Sequence, residues 1–581
     1  MMNQNLERVH EEKRRNKLMG GEQAIAKQKS QGKLNVRERI ELFADKGTFL
    51  EFGLLADHTP SNLELGDKVT PADGVVTGTC LVEGRPVAVA AYDFTVLAGS
   101  MGEVGERKTE RIRKLALEER IPMVWLLDSA GARIQEVAGA HFAGTGNLFF
   151  EQIEMSGLIP QVAAVMGPTA AGTSYIAALA DYTPMVKGVG SMALAGPPLV
   201  KAAIGEDITT EELGGSKIHN QISGCADGEF ENDEQCIAAV RKYLSFFPSH
   251  CRDKPPVRRD TRGLQLAISD EILSILPDDI RKAYDMKKVI KLVVDHGDFL
   301  EIKPDFAKSM IVGYARIMGH PVGIVANQPS FMGGAIDVDA SDKAARFIFT
   351  CDAFQIPIVF LHDCPGFIVG SRVEKMGIIR HGAKLLHAVA AATVPKFSIV
   401  VRKSYGAGYY VMCGKGLKPD LIVGWPTAEI SLMGAEGATN IVMKNRGNDQ
   451  EAKDAKAAMV TEYKAKIGGL ISARLAHIVR RGELVVLDFH VKRCPVCHGK
   501  SPALEQVIAK DLRAGRVQAF LVDFDEDTKL VRKYGVKYRN TALFLHKGVE
   551  VARVGGDFAH EKLAQALHDG FDAAFKKIDR K

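Results

Sequence analysis

Two runs of small residues carry the strongest chemical signal in this 581-residue sequence: "PTAAGTSYIAALAD" at 168–181 and "KSYGAGYYVMCGK" at 403–415. Each follows a predicted strand and leads into a predicted helix. Glycine and alanine there let a ligand approach the backbone, and successive N–H groups at a helix start are ready to hold an oxyanion. Close packing of helix on sheet also calls for Gly and Ala. Recurrence of the two runs at an offset of 236 residues puts the oxyanion reading on an equal footing with packing. No G-x-S-x-G, H-E-x-x-H or P-loop accompanies them. "GVGSMALAG" at 188–196 is a weak glycine cluster and reads as a loop. Oxyanion sites without a nucleophile point to a stabilised enolate, with the reactive partner supplied by a cofactor. Asp128 and Asp363, at the ends of apolar runs, invite an acid/base reading, though such residues also cap the following turn. A second chemical signal stands near the end of the chain, where Cys494 and Cys497 form a Cys-x-x-Cys pair.

The elements around the small-residue runs repeat. "DKGTFLEF" at 45–52 returns as "DHGDFLEI" at 295–302, and "IPMVWLLDSAG" at 121–131 returns as "IPIVFLHDCPG" at 356–366. From Gly84/Gly319 through Asp128/Asp363 the offset holds at 235, the mark of an internal duplication. Each half reads as a β-branched strand, a long helix ("ERKTERIRKLALEER", "SDKAARFIFTCDAF") and then a wholly apolar strand. Strands without polar alternation are buried on both faces, and their alternation with helices implies α/β layers. The expected divisions are an N-terminal helical segment at 1–35, halves at 36–255 and 256–478 joined by "CRDKPPVRRDTRG", and a separate module at 482–578.

Length sets a prior of roughly three or four domains. The chain is 46% hydrophobic and 25% charged with a net charge of +5, as expected of a soluble globular protein. The basic residues near the start alternate with acids ("EEKRRNK"), so nucleic acid is not an expected partner. No apolar run reaches the ~18 residues that span a bilayer, and the N-terminus lacks the apolar segment of a secretory signal. Nine cysteines, thinly spread among apolar residues (Cys80, Cys225, Cys351 and Cys413 among them), suit buried thiols in a reducing cytoplasm.

"YDFTVLAGSMGEVGERKTERI", "LLDSAGARIQE", "GEDITTEELGG", "ANQPSFMGGAIDVDASDKAARFIFTCDAFQIPIVFLHDCPGF" and "GWPTAEISLMGAEGA" together resemble the biotin-dependent acyl-CoA carboxyltransferases, over about residues 5–475. These are the β subunits of propionyl-, acetyl- and methylcrotonyl-CoA carboxylases and related decarboxylase subunits. The resemblance implies two tandem crotonase-like domains and transfer of CO2 from carboxybiotin to the α-carbon of an acyl-CoA thioester. It assigns Ala171 and Gly172 to the acyl thioester oxygen, where relatives often have Gly in place of Ala171. It assigns Ala407 and Gly408 to the biotin carbonyl oxygen. Ser129, Ala130, Gly131 and Arg133 would border the CoA channel, with Arg133 in contact with phosphate or pantetheine, or else in a structural salt bridge. Tyr410 would tune the acyl pocket. The resemblance further implies a homo-hexamer, a trimer of dimers. The chain shows neither an ATP-grasp pattern nor a biotin-acceptor Ala-Met-Lys-Met, so a separate biotin carboxylase and biotin carrier are expected. A decarboxylase subunit running the same half-reaction, and a thiol oxidoreductase on an inactive carboxyltransferase scaffold, are the alternatives.

The tail from "ELVVLDFHVKRCPVCHGKS" to "TALFLHKGVEVARVGG" resembles thioredoxin. That likeness implies Cys494 as nucleophile, its thiolate stabilised at a helix start, Cys497 as resolving thiol, and Asp488 as the buried acid that assists proton transfer. The tail departs from the pattern at Arg493, at Pro495 and Val496, and at Asn540, which stands where the family has a cis-proline before Thr541. A zinc site from Cys494, Cys497, His498 and His490 is a weaker reading, because one Cys-x-x-Cys without a second pair is poor evidence for a metal. No metal is expected. The junction is short: "GGLISARLAHIVRRGE" has to serve as the end of one fold and the start of the next.

Overall fold

The computed structural model describes residues 2–58, 65–66, 68–137, 139–258, 271–425, 427–443, 450–467, 484–490, 517–523, 535–536, 541–546, 549–554, 569–570 and 572–573. The chain divides into two compact units. One holds residues 1–398 and 404–422, the other 399–403 and 423–581.

The larger unit is built on the duplication. Its first sheet contains β1 (Leu50–Phe52), β2 (Val75–Val82), β3 (Arg85–Tyr92), β4 (Met123–Ser129), β5 (Gln161–Ala170), β6 (Pro184–Val186), β7 (Ser191–Ala193) and β8 (Gly228–Phe230). The order is β1-β2-β3-β4-β5-β6-β8, with β7 on β5. The second repeat begins with β9 (Phe299–Ile302), β10 (Met310–Ile317), β11 (His320–Asn327) and β12 (Ile358–Cys364). The 235-residue offset survives as register. Val75 faces Tyr92 across an antiparallel pair, and Met310 faces Asn327. Ala88 is level with Met123 in a parallel pair, and Gly323 with Ile358. β4 and β12 are buried at every residue, as strands covered on both faces must be. The helices Glu103–Glu119 and Val338–Ala353 fall at matching places. An aromatic stack ties the repeats together: Tyr243 lies 4.5 Å from Tyr182 and 5.6 Å, edge-on, from Tyr314 of β10.

β13 (Lys396–Tyr405) starts where the Ile358 N–H meets the Pro395 carbonyl at 2.9 Å. β14 (Leu421–Gly424) follows, then β15 (Glu429–Ser431), which pairs with β13 as β7 pairs with β5.

The second unit includes a separate four-stranded sheet of β16 (Leu484–His490), β17 (Val517–Asp523), β18 (Ala542–His546) and β19 (Val549–Val554), ordered β17-β16-β18-β19. β16 and β17 are parallel, while β18 is antiparallel to β16 and forms a hairpin with β19. Strands in this tail are what its likeness to thioredoxin implied.

Two local expectations are corrected. "GVGSMALAG" is not all loop, because Ser191–Ala193 forms β7 and extends the ladder beside Pro168–Ala170. Of the four cysteines read as buried, Cys80, Cys351 and Cys413 are so, but Cys225 is exposed.

Candidate active site

The first small-residue run is a strand-to-helix junction. β5 ends at Ala170 and the helix Gly172–Leu179 begins two residues later, so Ala171 alone makes the turn, at φ 53° and ψ −121°. An alanine rarely adopts that conformation, and backbone outliers of this kind gather at functional sites. Of the expected donor pair, the structure leaves one N–H open. The Ala171 N–H donates to the Ala193 carbonyl at 3.0 Å, adding one rung to the β5–β7 ladder. Among the described residues no acceptor meets the Gly172 N–H. The Ala171 carbonyl accepts the Ser174 N–H at 3.1 Å. Because a trans peptide sets its N–H opposite its C=O, the Gly172 N–H points out of the helix start. A methyl group on Gly172 would come within 3.6 Å of Met101 and 3.7 Å of Phe149, so these two apolar side chains lie beside Gly172.

The turn after β4 is packed against this junction. The Gly131 N–H donates to Ser129 Oγ at 3.1 Å, and the Ala130 N–H to the Ala98 carbonyl at 2.9 Å. Gly131 sits at φ 92°, and a methyl there would strike the Ala170 carbonyl at 2.8 Å. Gly131 therefore lies against Ala170 and Ala171. Arg133 belongs to the structural alternative. Its guanidinium is buried and bound to Asp73 at 2.6 Å, Glu136 at 2.8 Å and the Ser100 carbonyl at 3.0 Å, which leaves it committed inside the protein. Asp128 likewise serves structure. It is fully buried and paired with Lys33 at 2.6 Å and Arg39 at 2.9 Å, and Arg39 reaches on to Asp233 at 2.7 Å. Gly167 must lack a side chain because a methyl would overlap Asp128 Oδ1.

The second run repeats the arrangement. β13 ends at Tyr405 and the short helix Gly406–Val411 follows, with Gly406 at φ 55°. Its first N–H groups have no intrahelical acceptor. Among the described residues none meets the N–H of Ala407 or of Gly408. Gly408 packs on the Cys364 thiol and on Gly366 at the end of β12. Tyr410, one turn on, is 53% exposed. Two groups that the sequence reading passed over support this junction. His362 of β12 is buried between Ser404 Oγ, 2.9 Å from Nδ1, and Ser398 Oγ, 2.6 Å from Nε2. Burial pulls its imidazole down to about 3, so it stays neutral and each serine hydroxyl is held in place. The other is Cys364. Its place just ahead of "PGF" was visible, but its contact with a residue 44 positions later was not.

Cys494 and Cys497 lie outside the described residues, as do Arg493, Asn540 and His498. Asp488 is on β16, level with Leu521 of β17 and Ala542 of β18. Among the described residues no group of His, Cys, Asp and Glu could hold a metal ion, and no helix is long and apolar enough to cross a membrane.

Residues 27–497 match the carboxyl transferase domain family, and residues 471–569 match the thioredoxin family. The chain is 41% identical over 504 residues to the methylmalonyl-CoA decarboxylase subunit alpha of Veillonella parvula, covering 86% of this chain and 98% of that one. It is 43% identical over 464 residues to the propionyl-CoA carboxylase carboxyltransferase subunit of Haloferax mediterranei, covering 80% and 90%. A solved structure of the transcarboxylase 12S hexamer core with hydrolysed methylmalonyl-CoA bound superposes with a TM-score of 0.78 at 36% identity, over 93% of this chain and 97% of that one.

Proposed function

The chain belongs to the carboxyl transferase family and carries a thioredoxin domain at its C-terminal end, and from that premise we propose that it is the carboxyltransferase subunit of a biotin-dependent acyl-CoA carboxylase acting on a short, propionyl-CoA-like thioester. The observation that carries this reading is the pair of matching junctions: an open N–H at Gly172 in one repeat and open N–H groups at Ala407 and Gly408 in the other. Each can hold one developing oxyanion without a nucleophile.

The second junction fits the ureido carbonyl of biotin, because two unpaired amide donors at a helix start suit a single carbonyl oxygen. Biotin on a separate carrier, once bound, supplies the carboxyl group and a base for the acyl α-proton. The N–H groups of Ala407 and Gly408 would hold its ureido carbonyl oxygen. Gly172 donates to the thioester oxygen as the α-proton leaves, and Ala171 fixes the direction of that donor. Met101 and Phe149 keep water from the enolate. Ser129, Ala130 and Gly131 shape the wall along which the CoA arm approaches. Tyr410 bounds the acyl group and favours a short one.

The wider assignment follows the family. The divisions are 36–255 and 256–478 for the two crotonase-like domains and 482–578 for the thioredoxin-like module, with biotin carboxylase and biotin carrier as partners in the cytoplasm. The assembly is a trimer of dimers, supported by the hexamer named for the matched solved structure. Light scattering should then give six times the 63.1 kDa of one chain. A second reading, a decarboxylase subunit using the same half-reaction in reverse, is favoured by the 98% coverage of the Veillonella parvula relative. In the tail, Cys494 and Cys497 form the dithiol, with Asp488 as its proton acceptor.

The test is conversion of methylmalonyl-CoA to propionyl-CoA by the full chain, with and without free biotin and with and without dithiothreitol. Biotin-dependent turnover in both redox conditions supports a transferase with an independent tail. Turnover only when reduced places the transferase under thiol control. No turnover in any condition rejects the reading.

A further inference from the structure

The Ala171 turn is held from outside its own loop. Its N–H is anchored on the Ala193 carbonyl, the last residue of β7. Ser174 Oγ, 2.9 Å from the same carbonyl and 2.8 Å from the Thr169 carbonyl, braces it from the helix side. A strand of three residues has few bonds of its own to keep it in place. The carbonyl of the preceding residue, Met192, is bound by His219 Nε2 at 2.8 Å. A carbonyl only accepts, so Nε2 carries the proton, and Nδ1 lies 2.8 Å from Ser223 Oγ. Gly214 makes this approach possible, since a methyl there would overlap the Met192 carbonyl and come within 3.2 Å of His219 Nε2. The printed bonds run from His219 to Met192, along β7 to Ala193, and from there to Ala171.

We propose that His219 is a positioning residue for the acyl-oxygen site: by pinning Met192 it fixes β7, and the Ala193–Ala171 rung then holds the peptide whose N–H, that of Gly172, meets the thioester oxygen. The proposal rests on the carboxyl-transfer reading for its effect on rate, but the structural link stands apart from it. Loss of the Nε2–H leaves the Met192 carbonyl unpinned. The Ala171 turn, already in an unfavourable conformation, is then free to relax, and the Gly172 donor loses its aim. A misaimed donor weakens an interaction made chiefly in the transition state, so the loss falls on kcat rather than on KM. Glutamine keeps an N–H donor at nearly the same reach, whereas alanine does not.

The experiment compares the full chain with His219→Ala and His219→Gln in two ways: steady-state conversion of methylmalonyl-CoA with free biotin, and amide hydrogen exchange read by mass spectrometry on peptides covering 168–175 and 191–195. The expected result for His219→Ala is a fall in kcat of about tenfold or more, with KM for the acyl-CoA within about twofold of the parent. Exchange should quicken in those two peptides and hardly change elsewhere. His219→Gln should restore both. Unchanged exchange in His219→Ala, equal losses in the two variants, or faster exchange across the whole unit would overturn the proposal. If the parent itself fails to turn over, the carboxyl-transfer reading is lost, while the exchange pattern still decides whether His219 holds the Ala171 turn.

Discussion

Gly408 is the residue at which a single methyl group tests the second junction. A Cβ there would lie 2.8 Å from Cys364 Sγ and 3.1 Å from the Gly366 Cα. Packed carbon atoms rest about 3.5–4.0 Å apart, so relief requires a shift of about 0.5–1 Å. Cys364 is fully buried and cannot swing aside, and Gly366 is backbone, so the helix start must move instead. Overpacking of this kind costs about 1–3 kcal/mol. The same shift displaces the Gly408 N–H, and losing one oxyanion donor typically costs about 10²–10³ in rate. Gly408→Ala is therefore expected to keep its fold, melt a few degrees lower, and turn over methylmalonyl-CoA about 10- to 100-fold more slowly. Cys364→Ala removes the nearer obstacle. The double variant should regain a good part of the rate, short of full recovery because the Gly366 contact remains. The assay is kcat for biotin-dependent turnover in the parent, both single variants and the double. A Gly408→Ala enzyme within about twofold of the parent would refute the reasoning, as would a double variant no faster than Gly408→Ala alone.

Three further outcomes follow from the geometry. Ala171→Gly relieves a conformation that costs about 1–3 kcal/mol and gives back about 0.5–1 kcal/mol through the freer unfolded chain; the variant should gain roughly 1 kcal/mol in urea unfolding and keep its turnover, since no N–H is lost. Asp128→Asn leaves Lys33 and Arg39 buried with one carboxylate fewer, so it should destabilise the large unit by about 3–5 kcal/mol; a urea midpoint equal to the parent's would show that the buried network carries no such weight. Cys225 is exposed, and the His219 imidazole beside it brings the thiol down to about 7, whereas burial pushes Cys80 up to about 12 and Cys413 to about 11. Among the described cysteines, iodoacetamide at pH 7 should label Cys225 first. Because the thiolate is the reactive form, the rate should rise about tenfold per pH unit below pH 7 and level off above it. Labelling spread equally over these thiols, or a Cys225 rate still climbing steeply above pH 8.5, would contradict the pairing.

The layout of the fold was legible because duplication preserves spacing. Gly84 and Gly319 mark the same hairpin turn, and the constant offset carried the register of both paired strands with it. The apolar runs of β4 and β12 announced double-sided burial in their composition alone. What stayed hidden depended on contacts between distant residues. Three residues of β7 are too few to show a period, so a strand inside "GVGSMALAG" read as loop. Arg133 could be placed at the site but not disarmed, because its partner Asp73 lies 60 residues earlier in a stretch without a motif. Ala171 was read as an oxyanion donor, yet only the fold reveals that Ala193 occupies its N–H.

Carboxyl transfer between an acyl-CoA and biotin is the activity proposed for this chain. The most direct measurement is incubation of the full chain with methylmalonyl-CoA labelled with carbon-13 in its free carboxylate, together with free biotin, and mass detection of the label. The expected products are carboxybiotin carrying the label and propionyl-CoA in equal amount, both dependent on the protein. Label released only as CO2 at the same rate without biotin, or left wholly on methylmalonyl-CoA, would contradict that activity.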